Sequence, residues 1–184
     1  MRLHVLLALG LSLALGPGCA GTVSQATRSS GPGASAGATT CPTTTEAENV
    51  AIVWVWHEEV INRQNPAALQ DILDPEIVHH AAGGYPDTMT ADEVAAMMNA
   101  FRRAFSDLYY DFDLFVVRDD LVVERYTASG TQDGPFQDLP ATGRKATWTG
   151  INIFRIECGR IVEIWSEVDA LSRRQQLTGA AARS

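Results

Sequence analysis

The chain has 184 residues, 46% of them hydrophobic, with 14 basic side chains against 22 acidic ones and a formal net charge of -8. That length suits one ordinary domain with an appended segment, and that hydrophobic share argues against wholesale disorder. Lys145 is the one lysine and the arginines are scattered, which argues against a nucleic-acid partner, because phosphate binding needs clustered Lys and Arg.

Arg2 and His4 precede the apolar run "VLLALGLSLALG", too short to span a bilayer as a mature helix. The run ends in the small residues "GPGCA". Residues 1–18 therefore read as an export signal of lipoprotein type, with Cys19 as the lipidated first residue of the mature chain. Gly16 stands where that pattern places an aliphatic residue, Leu15 lies one position early, and Pro17 is unusual there. Secretion without lipid is the alternative. The expected location is the bacterial cell envelope, with membrane contact only through the lipid. Residues 19–45 are mostly Gly, Ser, Thr and Ala. Such a stretch buries too little surface to offset its ordering entropy and is predicted to be a flexible tether. With Cys19 lipidated, Cys41 and Cys158 are left for an oxidising compartment. They form either a disulfide from the tether to the "ECGR" turn or two unrelated thiols.

A folded domain is predicted over 46–178, with 179–184 as a disordered tail. Val50, Val53, Trp54, His57, Val60 and Ile61 recur at three and four, one helical stripe. Trp54 and Trp56 lie two apart and cannot share a helical face, so at least one belongs to the core. Asn65-Pro66 breaks the helix and "PAALQDIL" makes a short second one. "DPEIVHHAAGGYPD" reads as an extended piece and a loop. Thr90 and Glu93 have capping-box spacing, and Val94, Met97, Met98, Phe101, Ala104 and Phe105 form the buried stripe of a third helix. After Asp107 the period changes to two. "YYDFDLFVV", "LVVERYTASGT", "KATWTGINIFRIE" and "RIVEIWSEVD" are four strands, and Cys158-Gly159 is the turn between the last two. "QDGPFQDLPATGR" is a long loop, and "DALSRRQQLTG" a terminal helix. Helices followed by an antiparallel meander define an α+β fold with helices on one sheet face.

The last strand carries two unlike faces. Glu163, Trp165, Glu167 and Asp169 fall two apart on one side. Val162, Ile164 and Val168, interrupted by Ser166, fall on the other. The side with the carboxylates either faces water or lines a pocket that uses an acid.

The ordered set "INRQN", "PEIVHH", "LPATGR", "TGINIFRIECGRIVEIW" and "DAL" resembles the SnoaL-like polyketide cyclase family, whose members are often labelled ester cyclases. It belongs to the nuclear transport factor two-like superfamily. The resemblance covers roughly residues 48–178. It implies a cone, in which a strongly curved antiparallel sheet wraps on helices around a deep pocket. It also implies ring closure by intramolecular aldol condensation, with an aspartate as general acid/base and neither metal nor cofactor. By motif position that aspartate is Asp169, with His80 as its partner, and the Trp165–Asp169 face points into the pocket. Trp165 offers a flat wall and Arg125 a cation for a developing oxyanion. Phe136 and Trp148 are further candidate contacts to a hydrophobic small molecule. Where many relatives carry histidines, this chain has Ile164 and Gln132.

Plainer roles stand beside these. Asp169 is well placed to cap the terminal helix. His79-His80 is a poor metal pair, because adjacent residues of an extended segment point apart. Glu163 and Glu167 suit a solvent-facing role, and Cys158 has no evident base beside it. Three functional classes follow: an acid/base enzyme using Asp169, an exported module that binds an apolar molecule without turnover, and an interaction domain forming a homodimer.

Overall fold

The computed structural model describes residues 41–81, 86 and 88–180. The segment expected to be an export signal, Cys19, most of the expected tether and residues 181–184 lie outside the described residues. Helix α1 (Glu46–Val55) opens on a capping box, with Thr45 Oγ1 accepting from the Glu48 backbone and Glu48 accepting from the Thr45 backbone at 2.8 Å. The chain continues as a π-helical segment, Trp56–Asn62, whose wider turn buries the consecutive pair Trp56 and His57. Trp56 is the core tryptophan at 3% exposure, while Trp54 is 49% exposed. A single 3-10 turn, Pro66–Ala68, and the short helix α2 (Leu69–Ile72) lead into β1 (Leu73–His80). Helix α3 (Ala91–Ala104) carries the predicted Thr90–Glu93 capping box and buries Val94, Met97, Phe101 and Ala104.

Four strands follow: β2 (Tyr109–Arg118), β3 (Leu121–Thr131), β4 (Lys145–Glu157) and β5 (Arg160–Val168). They pair as an antiparallel meander, and the curved sheet has the order β1-β5-β4-β3-β2 without closing into a barrel. The sheet is mixed, which corrects the expected all-antiparallel arrangement: β1 lies parallel to β5, with His79 opposite Ile164. Helix α3 and strands β2, β3 and β4 intervene between the two strands, giving the long connection a parallel neighbour requires.

The inward face is set by alternation. Val122, Glu124, Tyr126 and Ala128 of β3 are buried, as are Trp148 and Phe154 of β4. On β5 the pairing advances from Arg155↔Glu163 to Ile156↔Ile161, leaving Val162 as a bulge. The bulge places both Ile161 and Ile164 in the core. Cys158 and Gly159 make the β4–β5 turn, both with positive φ, 56° and 74°, as a tight hairpin turn demands. Of the two alternatives for the cysteines, the disulfide is the one formed: Cys41 and Cys158 are bonded, their Cα atoms 5.2 Å apart. The loop 132–144 is pinned by buried Gln132, which donates to the Pro140 carbonyl at 3.0 Å and accepts from Thr142 at 2.8 Å. Helix α4 (Ala170–Thr178) is capped by Asp169 and ends at left-handed Gly179.

Candidate functional site

Between the inward sheet face and the helices lies a cavity of about 60 Å³. Apolar side chains from the π segment and α3 form much of its wall. Its polar lining is His79, Tyr110, Tyr126, Asn152, Ser166 and Arg173.

His79 comes from β1 and Ser166 from the neighbouring β5, and His79 Nε2 stands 2.9 Å from Ser166 Oγ. The residue is 2% exposed, and its Nδ1 has no hydrogen-bond partner among the described residues. Burial, and secondarily the adjacent His80, push the imidazole pKa down to about 4, because low dielectric disfavours the charged form. His79 is therefore neutral at physiological pH.

Behind the cavity sits a buried pair, Glu124 and His57, at 0% and 1% exposure. His57 Nε2 lies 3.1 Å from the Tyr110 carbonyl, which can only accept, so this nitrogen carries a proton. His57 Nδ1 faces Glu124 Oε2 at 3.4 Å, and Asn152 Nδ2 donates to Glu124 Oε1 at 2.7 Å. Asn152 thus connects the pair to the cavity wall. Tyr110 and Tyr126 stack with centroids 4.3 Å apart. Burial, then Tyr110 beside it, holds the Tyr126 hydroxyl far above the ordinary phenol range, so it remains a proton donor. Glycine at position 150 is needed to admit that hydroxyl: a Cβ there would stand 2.3 Å from Tyr126 Oη.

Arg173 of α4 is 3% exposed. Its guanidinium carbon lies 5.5, 4.9 and 5.1 Å from the ring centroids of Phe101, Phe136 and Trp148. Among the described residues no group of His, Cys, Asp and Glu is gathered as a metal site.

The residues expected from the sequence are distributed differently from this set. The orientation expected for β5 is reversed: Ser166 and Val168 line the cavity, and the side bearing Glu163, Trp165 and Glu167 lies outside. The physical reason is the bland one, since a strand packed on a core buries its apolar face. His80 is on the outer side with them, 2.8 Å from Glu163 and stacked on Trp165 at 5.5 Å. Glu163 is held low first by that histidine and further by Arg155. Asp169 is exposed, accepts from the Ser172 backbone at 2.9 Å and does not line the cavity. Arg125 also faces out, ion-paired with Asp113. Phe136 and Trp148 are interior, and they meet Arg173 rather than the cavity itself.

The sequence did hold signals for the residues missed. His57 sits on the apolar stripe that runs from α1 into the π-helical segment, and Glu124 falls in phase with Val122 and Tyr126 on the face that the alternation buries. Arg173 carried no such signal. As a cap, Asp169 has a measurable weight: Asp169→Ala should lower stability by about 1 kcal/mol and Asp169→Asn by only a few tenths, read from urea unfolding.

A half-open, mixed sheet curved over helices around a small polar-tipped cavity defines the class: a cone-shaped α+β pocket domain. Residues 51–177 match the profile of the SnoaL-like polyketide cyclase family, and the chain belongs to that family. Among solved structures it is similar to TsrD from Streptomyces laurentii, at 29% identity over 73% of this chain and 97% of that one, with a TM-score of 0.65. IdmH from Streptomyces antibioticus, described as a candidate polyketide cyclase, is 25% identical over 73% of this chain and 99% of its own, TM-score 0.60. A SnoaL-like polyketide cyclase from Agrobacterium tumefaciens shares the fold at 19% identity, over 70% and 97%, TM-score 0.59. A comparison with curated proteins gave no match.

Proposed function

We propose that this cyclase-family domain performs acid/base chemistry, an aldol-type cyclisation or isomerisation, on a hydrophobic small molecule held in the interior cavity. The observation that carries the reading is His79: a buried neutral imidazole, one nitrogen on Ser166 and the other without a partner among the described residues, in the wall of that cavity. Buried polar atoms in native proteins are nearly always satisfied, and an exception calls for an explanation. A ligand's carbonyl or acidic C–H supplies one.

The chemistry has a direction. The imidazole lone pair takes the proton of a carbon flanked by two carbonyls, and polar groups of the cavity lining stabilise the enolate oxygen that forms. A base whose conjugate acid is held near 4 is weak, so the carbon must already be acidic, as in a β-keto ester. The same low pKa makes the imidazolium return its proton readily, which isomerisation and aldol closure both require.

Methyl acetoacetate in D2O gives a direct test by NMR. The protein should accelerate deuterium incorporation at the central carbon. His79→Asn should reduce that acceleration by ~100-fold or more, while Asp169→Asn leaves it in place. A folded His79→Asn protein exchanging at the wild-type rate would exclude His79 as the acid/base.

The cavity's size favours a second reading. About 60 Å³ holds only a few waters, which suits binding of a small molecule without turnover. Exchange at the background rate, together with a small ligand recovered by mass spectrometry from natively purified protein, would select that reading.

Export is part of the proposal. It is supported by the residue 1–18 pattern and by the Cys41–Cys158 bond, since structural disulfides belong to oxidising compartments. Intact-mass analysis from a bacterial host should show loss of 18 residues, with diacylglycerol on Cys19 if that residue is the lipid site. A mature chain retaining Arg2 would overturn it.

A further inference from the structure

We propose that Asn152 sets the specificity of the cavity by presenting a fixed hydrogen-bond acceptor, so that the bound molecule carries an N–H or O–H donor on its apolar body. This rests on the proposed use of the cavity as a ligand site.

A polar row crosses the inward face of the sheet. Glu124 of β3 is the direct cross-strand partner of Asn152 on β4, and Asn152 is that of Ser166 on β5. His79 of β1 extends the row through its contact with Ser166 at 2.9 Å. Four neighbouring strands thus contribute one polar side chain each. Cross-strand partners stand ~5 Å apart at their Cβ atoms, so the row is contiguous. Its flanks on the same face are Ile77, Val122, Tyr126, Phe154 and Ile164, all buried. Polar groups set in such surroundings are costly unless hydrogen-bonded, so each one left open asks for a partner.

The direction of the Asn152 amide follows from its neighbours. Asn152 Nδ2 donates to Glu124 Oε1, and the other Glu124 oxygen faces His57. His57 is tied in turn to the Tyr110 carbonyl at 3.1 Å, which anchors this end of the row to the helical layer. Turning the amide over would set two oxygens 2.7 Å apart, so it is held one way round. Asn152 Oδ1 has no donor among the described residues, and Asn152 lines the cavity together with Ser166 and His79. An amide oxygen accepts two hydrogen bonds. The wall therefore offers an acceptor that the protein does not fill. A molecule with a donor fills it, whereas one without a donor buries it unpaired, and such a site rejects the analogue that lacks the donor. For the acid/base reading, the preferred substrate is then a carbon acid bearing an amide N–H or a hydroxyl rather than a plain keto ester.

Pyrrole and furan are the probes, being five-membered rings of nearly equal size of which only pyrrole has an N–H. Binding is followed by NMR titration and folding by thermal denaturation. Wild-type protein should bind pyrrole about tenfold more tightly than furan. Asn152→Ala should erase the preference while furan binding persists. Equal binding of the two probes by the wild type would overturn the role of Asn152 and leave the cavity as a ligand site. Binding of neither up to millimolar concentration would overturn both. A folded Asn152→Ala protein that still prefers pyrrole would place the acceptor at His79 and overturn the assignment to Asn152. Should Asn152→Ala not fold, nuclear Overhauser contacts of the pyrrole N–H in the wild-type complex decide the matter. Contacts to the Asn152 side chain are expected, and contacts to the His79 ring alone would overturn the proposal.

Discussion

Glu124→Ala is expected to destabilise the domain by roughly 3–5 kcal/mol, the usual cost of removing one partner of a buried pair. Glu124 is fully buried, and its two oxygens serve two different groups, His57 Nδ1 at 3.4 Å and Asn152 Nδ2 at 2.7 Å. Truncation strands both. Glu124→Gln should cost far less, on the order of 1 kcal/mol. The amide oxygen can accept from Asn152, and the amide nitrogen faces His57 Nδ1 in place of the carboxylate oxygen. His57 keeps its bond to the Tyr110 carbonyl in either case. The double variant Glu124→Leu/His57→Leu should recover only the part of the Glu124→Ala loss that comes from His57, because apolar replacement of a buried pair is often neutral while Asn152 still lacks its acceptor. The Tyr110 carbonyl would not be orphaned, since Asn62 donates to it at 3.1 Å. Urea unfolding of the three variants checks this ordering. A cost for Glu124→Gln equal to that of Glu124→Ala would show that the charge, rather than the hydrogen bonds, holds the network together.

The fold was legible where its determinants are local. The capping box at Thr90, the change from a spacing of three and four to period two after Asp107, and the Cys158-Gly159 turn are all written within a few residues. The parallel contact of β1 with β5 was not, because the partners are more than 80 residues apart in the chain and no local pattern encodes the pairing. The site follows the same division. Alternation says that His79 and His80 point oppositely, and likewise Trp165 and Ser166. Which of each pair faces inward depends on the His79↔Ile164 register and on the Val162 bulge. A one-residue change in register exchanges the faces. The resemblance favoured the side bearing Trp165 and Asp169, while the apolar pattern of Ile164 and Val168 pointed the other way, and packing followed the pattern. Arg173 lies in "SRRQQL", where nothing local separates it from Arg174. Its burial requires Phe136 from the 132–144 loop and Trp148 from β4.

His79 should impose a pH dependence on stability that its replacement removes. The folded imidazole is held at about 4 against an ordinary 6.5. A histidine with a depressed folded pKa binds its proton in the unfolded chain first. Between these two values the unfolded state therefore carries the extra proton, and acid favours unfolding. The contribution is fully present above about pH 6.5 and is lost as pH falls through about 4. At ~1.4 kcal/mol for each pH unit the whole window is worth roughly 3 kcal/mol. Other groups titrate in part of this range, so the quantity to measure is a difference. Urea unfolding of wild type and His79→Asn at pH 7, 6, 5 and 4 should give curves that converge as pH falls. The wild type should lose roughly 3 kcal/mol more than the variant between the extremes. Asparagine keeps a polar group for Ser166 and has no charge to gain, so any fixed cost of the substitution displaces its curve without tilting it. Parallel curves would mean that His79 takes up a proton in the folded protein as easily as in water. That result would remove the buried, neutral imidazole on which the proton-transfer reading rests.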